Sequence, residues 1–132
     1  MIGKLDDYLH FNEAALNLRS QRQQLLASNI ANADTPGFKA RDIDFTSALA
    51  GAMSGASPTA AAQAGNSHPV ATLNMPAAPL YRTPVQGAVD GNTVDMDVER
   101  NQFADNSIRY EAGITMLNAQ IRNMMAAIQG GQ

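Results

Sequence analysis

The apolar residues near the start of the chain recur at the spacing of an α-helix. Residues 4–33 contain neither proline nor glycine, and two neighbouring stripes give the predicted helix one broad apolar side. The first stripe is Phe11, Ala15, Leu18, Arg22, Leu25, Asn29 and Asn32, and the second is Leu9, Leu16, Leu26 and Ile30. Because one partner helix covers only one stripe, we expect this helix to have more than one neighbour.

A sharp turn is predicted directly after this helix. The ring of Pro36 disfavours the α conformation at Thr35, so the helix has to end before it. Pro36 and Gly37 suit the two central positions of a type II turn, with Gly37 at the position that requires a positive φ.

The strongest pattern lies near the other end of the chain. Residues spaced alternately by four and three form the a/d seam that is typical of a coiled coil. The seam is Met96, Arg100, Phe103, Ser107, Tyr110, Ile114, Leu117, Ile121, Met124 and Ile128. It predicts a helix over residues 96–128, with Asp95 as its N-cap, Asp97 and Glu99 at the positive end of its dipole, and residues 130–131, both glycine, ending it.

The stretch between the helices has a different composition. No charged residue occurs between Asp44 and Arg82, and five of the six prolines lie between Pro58 and Pro84. Such a segment buries too little apolar area to order itself strongly, so residues 51–79 are predicted to be loop.

Short elements are predicted on either side of that loop. Ile43 and Phe45 alternate with aspartates, which indicates a short extended piece, and Asp44 also suits the N-cap of a short helix through residue 50. Residues 80–83 and 88–89 are predicted to be short strands, and Asp90 with Gly91 a tight turn.

Together these patterns predict a mainly α protein. Two long terminal helices pair as an antiparallel coiled-coil hairpin, and the small loop-rich middle contains short strands. The predicted segments are 1–35, 36–94 and 95–132, the two helical segments forming one structural unit. Because a two-helix hairpin leaves apolar faces uncovered, we expect the chain to assemble into oligomers.

The composition excludes several classes of function. The 132 residues include no Cys and no Trp, aromatics make up 5%, and the formal charge is −3. These values exclude disulfides and thiolate metal sites, and they argue against nucleic-acid binding. His10 and His68 are expected at the surface, and no catalytic triad or phosphate-binding glycine loop can be assembled. We therefore expect no enzyme activity, no cofactor and no metal.

An acidic cluster near residues 90–99 is the one feature that suggests a cation site. It comprises Asp90, Asp95, Asp97 and Glu99. Val94 stands where an EF-hand needs an oxygen ligand. Helix capping with a solvated first turn is therefore the favoured interpretation.

The sequence shows no membrane or secretory segment. No stretch approaches the roughly 20 apolar residues of a membrane span. Residues 1–7 lack the basic and apolar parts of a secretory signal. The residues alone predict a cytoplasmic protein, unless export uses a route that needs no cleaved signal.

Two motifs carry a family resemblance. Residues 28–40 read Ser-Asn-Ile-Ala-Asn-Ala-Asp-Thr-Pro-Gly-Phe-Lys-Ala. This run resembles the N-terminal signature of bacterial flagellar axial proteins, the rod, hook and hook-associated subunits. Residues 41–45, Arg-Asp-Ile-Asp-Phe, and residues 90–99, Asp-Gly-Asn-Thr-Val-Asp-Met-Asp-Val-Glu, make the chain similar to the proximal rod subunits of that family.

The resemblance implies a structural subunit of the flagellar basal body. Such a subunit builds the proximal rod, which spans the periplasm and transmits torque from motor to hook. The implied partners are copies of the chain itself, the adjoining rod protein FlgC, the basal-body adaptor FliE, the flagellar type III export apparatus and a rod-capping factor with muramidase activity. Export through that apparatus needs no cleaved signal. An alternative is a coiled-coil adaptor or secretion-associated binding protein, which would form a finite oligomer.

The predicted assembly interface has two parts. One comprises residues of the first helix and the signature, namely Leu18, Leu25, Asn29, Asn32, Pro36, Gly37 and Phe38. The other comprises seam residues, namely Phe103, Tyr110, Ile114, Leu117, Ile121, Met124 and Ile128. The alternatives are that the seam is an intramolecular core, and that Asn29 and Asn32 are ordinary helix-end polar residues.

Overall fold

The computed structural model describes residues 2–54, 77–84 and 88–130. In chain order its elements are α1 (Ile2–Ala31), β1 (Arg41–Asp42), α2 (Phe45–Met53), β2 (Leu80–Tyr81) and α3 (Met96–Gln129). The two terminal helices have 30 and 34 residues. At the usual rise per residue each is about 45–50 Å long.

The ends of the long helices follow local sequence signals. α1 ends at Ala31, two residues earlier than predicted, and Phe38 N donates to Thr35 O at 3.2 Å across the turn. Gly37 has a φ of +72°, as the predicted turn requires. At α3 the Asp95 side chain accepts from the amides of Asp97 and Val98, which confirms the predicted N-cap.

The long helices pair antiparallel, as predicted. Near one end of the pair Asn29 Nδ2 donates to Glu99 Oε2 at 3.1 Å, and near the other Gln120 donates to the Tyr8 hydroxyl. Between these points Gly113 allows a close approach, because a Cβ there would lie 3.0 Å from a methyl carbon of Leu16.

The middle of the chain covers one side of α1. Asp44 caps α2 by accepting from the amides of Thr46 and Ser47 at 3.1 and 3.3 Å. Strands β1 and β2 form an antiparallel ribbon in which Arg41 is opposite Tyr81. The small core is Leu18, Leu25, Ile43 and Ala77, with Phe45, Ala48 and Leu49 packed against it. The Arg19 guanidinium lies 4.6 Å from the centre of the Phe45 ring.

Four predictions for the middle were wrong in part. The strand predicted at residues 80–83 covers only Leu80–Tyr81. The extended piece predicted around Ile43 and Phe45 lies earlier, at Arg41–Asp42, because the cap at Asp44 starts α2 at Phe45. Residues 51–53 are not loop but the last turn of α2, because the cap at Asp44 and the packed Ala48 and Leu49 carry the helix past residue 50. Residues 88–89 are not a strand. The chain turns there, with Gly91 N donating to Ala88 O at 3.0 Å and Gly91 at a φ of +74°. Residues 54 and 77–79 lie outside helices and strands, as predicted. Residues 55–76 of the predicted loop lie outside the described residues, as does His68; His10 is exposed as expected.

The turn at Gly37 generates a stability prediction. Gly37→Val should lower the free energy of unfolding by roughly 1–3 kcal/mol, because a β-branched residue resists a positive φ. Open space surrounds a Cβ at this position, so the backbone conformation alone causes the loss. Urea unfolding followed by circular dichroism measures it.

Gly51→Ala is the matched control. Gly51 lies in α2 and has equal space around it, so alanine should leave stability unchanged or raise it by up to about 1 kcal/mol. Equal losses for the two variants would contradict the role assigned to the turn.

Candidate assembly interface

Three neighbouring columns of side chains, each repeating every seven residues, run along α3. The inward column is Glu99, Asn106, Gly113 and Gln120. The central column is Phe103, Tyr110, Leu117 and Met124. The outer column is Ile114, Ile121 and Ile128. The central column is half-buried, whereas the outer column is exposed, with 37%, 41% and 78% of its residues' surfaces accessible.

The predicted seam combined the central and outer columns, but α1 packs on a different pair. Asn106 Nδ2 donates to Arg19 O at 2.9 Å and to Gln23 Oε1 at 2.6 Å. Gly113 packs on Leu16, and Gln120 contacts α1 as well. The central and inward columns therefore form the intramolecular contact, and the isoleucines of the outer column remain accessible.

A network of one buried and three half-buried charges joins the middle of the chain to both long helices. Arg22 makes two hydrogen bonds to the Asp42 carboxylate, at 2.8 and 2.9 Å. Arg82 Nη2 donates to Asp42 Oδ2 at 2.7 Å, and its Nη1 donates to the Glu99 carboxylate. Glu99 has no accessible surface. We call Arg22, Asp42, Arg82 and Glu99 the charge network; it connects α1, β1, the residue after β2 and α3.

The charge network shifts the pKa of two of its members. Burial alone would raise the pKa of Asp42, but the hydrogen bonds from Arg22 and Arg82 outweigh it and hold that pKa below its ordinary value of 3.8. The same hydrogen bond to Asp42 raises the pKa of Arg22. Both charges are thus stabilised by folding.

Asn29 connects the charge network to the first strand. Its Nδ2 donates to Arg41 O at 2.8 Å, and its Oδ1 accepts from Arg41 N at 3.0 Å. The same Nδ2 reaches Glu99, and Asn29 is buried. One amide side chain therefore pairs with the strand backbone and with a buried carboxylate.

Asn92 joins the two motifs that carried the family resemblance. Its Nδ2 lies within hydrogen-bonding distance of the carbonyl oxygens of Asn32, Ala33 and Thr35, at 3.0, 2.8 and 2.9 Å. Its Oδ1 accepts from Val94 N at 2.8 Å. Asn32 O and Thr35 O also accept from the amides of Thr35 and Phe38, so among the described residues Asn92 is a second donor to those two and the one donor to Ala33 O.

Two backbone hydrogen bonds and one from a lysine side chain reinforce this contact. Gly37 N donates to Asp90 O at 3.0 Å, and Thr93 N donates to Phe38 O at 3.0 Å. Lys39 Nζ donates to Gly91 O at 2.6 Å. The signature turn is therefore held against residues 90–93.

The residues predicted for the helix-one part of the interface divide into two groups. Leu18, Leu25 and Asn29 are buried within the chain. Pro36 and Gly37 are exposed, while Asn32 and Phe38 are half-buried. Only the second group leaves surface for a neighbour, and its role in assembly stays a prediction.

Sequence reasoning missed the partners of the polar residues. Glu99 was interpreted as part of a solvated first turn but is fully buried against Arg82. Arg82 ends the long charge-free stretch, and this isolated charge was a signal that could have been followed. The role of Asn92 had no comparable signal, because the carbonyl groups that it contacts belong to residues about sixty positions earlier.

The described helices contain no segment with the length and hydropathy of a membrane span.

Comparisons with known proteins agree with this architecture. The model of a family described as flagella basal body rod protein matches residues 9–39, which include most of α1 and the signature turn. The chain is 53% identical to the flagellar basal body rod protein FlgB of Salmonella typhimurium, over 99% of both chains. It is 51% identical to FlgB of Escherichia coli over 99% of both, and 44% identical to FlgB of Cereibacter sphaeroides over 94% of this chain and 95% of that protein.

The class of this protein is the structural subunits of the flagellar basal body rod. It is defined by the paired terminal helices, by the signature turn held against residues 90–93, and by these relatives. Within that class the chain belongs to the FlgB family. The adaptor alternative is not favoured by relatives that match over nearly the whole chain.

The charge network predicts a dependence on acid. Because the folded-state pKa of Asp42 is depressed, its contribution to stability is present above the ordinary pKa of 3.8 and is lost as the pH falls through the folded-state value. Asp42→Asn should lower the free energy of unfolding at pH 7 by roughly 2 kcal/mol and flatten its fall below pH 4. Urea unfolding between pH 7 and pH 2.5 measures both effects. Asp7→Asn, at an exposed aspartate of α1, should change neither the stability at pH 7 nor its fall in acid. If the free energy of unfolding of Asp42→Asn falls as steeply below pH 4 as that of the unaltered chain, the stabilising role of Asp42 is disproved.

The Asn92 contact predicts a second loss of stability. Asn92→Ala should cost roughly 1–3 kcal/mol, because Ala33 O loses its donor and Asn32 O and Thr35 O each lose one of two. Hydrogen exchange should rise first at residues 32–40, next to the missing side chain. Asn101→Ala, at an exposed asparagine of α3, provides the control. If residues 32–40 of Asn92→Ala are as well protected from hydrogen exchange as those of the unaltered chain, the role of this side chain is refuted.

Proposed function

We propose that this chain builds the proximal part of the flagellar rod, where copies pack side by side into a tubular array that spans the periplasm and carries torque from motor to hook. The observation that carries the proposal is the exposed isoleucine column on α3, in a chain that matches FlgB proteins along almost its whole length.

The outer column has the properties of an interface between subunits. Isoleucines at heptad spacing supply the knobs of a coiled coil, and 37%, 41% and 78% of the surfaces of Ile114, Ile121 and Ile128 stay accessible in the single chain. Seam residues Ile114, Ile121 and Ile128 therefore contact a neighbour, with Leu117 and Met124 of the central column at the edge of that contact. In the signature, Asn32, Pro36, Gly37 and Phe38 form the second contact region.

Leu18, Leu25 and Asn29 act in assembly indirectly. They hold α2, β1 and α3 against α1, and so give every copy the same shape. An array repeats any error of direction in each subunit, so a fixed turn at Gly37 and a fixed pairing of the long helices are needed for a straight rod.

Torsional load is best carried by many parallel helix contacts. Each subunit contributes two helices of about 45–50 Å, and the charge network ties the middle to both of them. A load applied to the middle is thereby transmitted to the hairpin through four charged side chains rather than through a flexible linker.

Membership in the family supports assembly with other rod components, and the proposed partners are specific. The chain contacts copies of itself, the adjoining rod protein FlgC and the basal-body adaptor FliE, and a rod-capping factor with muramidase activity acts beside it. It leaves the cytoplasm through the flagellar type III export apparatus without a cleaved signal. It has no catalytic role, and its contribution is structural.

A pair of isoleucine substitutions tests the interface. Ile121→Asp places a charge in the outer column and should abolish swimming of a strain that depends on this chain, because an unpaired charge in a packed contact is costly. Circular dichroism of the purified variant should be unchanged, since Ile121 is 41% exposed in the single chain.

Ile108→Asp is the matched control. Ile108 lies on the same helix, is 67% exposed and is outside the three columns, so this strain should swim. Normal swimming of Ile121→Asp would show that the outer column is not an interface. A soluble, finite oligomer of the wild-type chain that persists on dilution would instead favour the adaptor function.

A further inference from the structure

The face of α3 that packs on α1 is the more polar flank of its seam. It carries Glu99, Asn106, Gly113 and Gln120, whereas the opposite flank carries Arg100 and Ser107 and then, from residue 114 on, the three isoleucines. Burial of isoleucine is favourable, and burial of an amide is costly without full hydrogen bonding. Asn106 Oδ1 and Gln120 Oε1 are buried and have no partner among the described residues. Apolar burial alone would therefore favour the opposite flank of α3 against α1.

Specific polar contacts hold the observed face in place. Asn106 Nδ2 donates to Arg19 O at 2.9 Å and to Gln23 Oε1 at 2.6 Å. Arg22 donates to Gln102, whereas Gln23 Nε2 donates at 2.6 Å to Ser107 Oγ, which lies one heptad before Ile114 on the outer flank. These bonds lie in one short stretch, residues 102–107. Farther along the helix, Gly113 against Leu16 and the contact of Gln120 with Tyr8 follow the same face.

We propose that Gln102 and Asn106 are positioning residues that set the rotation of α3 about its own axis and so keep the isoleucine column turned away from α1. A shift of one residue turns an α-helix by about 100°. Without these two side chains only Glu99 still fixes the start of α3, so the part of the helix beyond it turns, Ile114 replaces Gly113 opposite Leu16, and the isoleucines become buried within the chain. Single buried polar residues set the register of coiled coils in the same manner. The statement that a second copy binds the outer column rests on the proposed function. The statement about the rotation of α3 does not depend on it.

The absence of cysteine from the chain makes the rotation measurable. Leu16→Cys with Gly113→Cys reports the observed face, and Leu16→Cys with Ile114→Cys reports the rotated one. In the otherwise unaltered chain the first pair should form its disulfide faster under mild oxidation. Adding Gln102→Ala and Asn106→Ala should change the ratio of the two rates by about tenfold toward the second pair, which corresponds to the loss of a few hydrogen bonds.

Two controls separate positioning from general damage. Gln102→Glu keeps an acceptor for Arg22 and should retain the original ratio, and Asn101→Ala removes an exposed asparagine and should also retain it. If the double alanine variant loses helicity, Asn106→Ala alone carries the test, with a change of about threefold. A ratio that stays constant in a folded alanine variant would overturn the proposal.

Swimming assays distinguish this inference from the proposed function. If the alanine variant shifts the disulfide ratio and also impairs swimming, both are supported. If the ratio shifts while this variant and Ile121→Asp both swim normally, the positioning role stands and the proposed interface fails. If the ratio is constant while Ile121→Asp abolishes swimming, the interface stands and the positioning role is overturned.

Discussion

A carboxylate without any access to water is the constraint on which this structure depends. Glu99 is enclosed in the contact between the long helices, so it needs charged and polar partners to be stable there. Arg82 and Asn29 supply them, and Asp42 balances Arg82 while Arg22 balances Asp42. Each of the four members of the charge network comes from a different part of the chain. Removal of one would leave its partner buried and uncompensated, which costs far more than the net value of the pair. The middle and both helices are thus mutually dependent.

This dependence explains how a subunit with a small core keeps a defined shape. The apolar cluster around Leu18, Leu25 and Ile43 covers only the part of α1 beside α2 and β1. Phe11 continues the same stripe toward the start of α1 and remains 41% exposed. The charge network and the Asn92 contact fix one end of the hairpin, and the other end presents apolar side chains to its surroundings. That arrangement suits a subunit whose remaining apolar contacts are made by other copies.

Local signals predicted most of the fold, and contacts distant in sequence account for what they missed. The caps at Asp44 and Asp95, the turn at Gly37 and the antiparallel pairing each follow from a few adjacent residues or from a repeated spacing, and the structure confirms them. The heptad pattern identified the central column but could not say which flank faces α1, because periodicity locates apolar positions without naming what covers them. That choice depends on Asn106 meeting Arg19 and Gln23, more than eighty positions away. No spacing rule reveals such a pair.

The difference between the predicted and observed faces of α3 also has a functional meaning. A chain that buried its most apolar flank against its own helix would be the more stable monomer, and it would have little surface left with which to bind a neighbour. Here polar side chains hold the helices together within the chain, where a defined register matters and a few hydrogen bonds suffice. In the proposed function the isoleucines, whose burial releases the most free energy per residue, remain for contacts between copies. Free energy that a compact monomer would use for its own folding is thereby kept for assembly, which is what a rod made of many identical subunits requires.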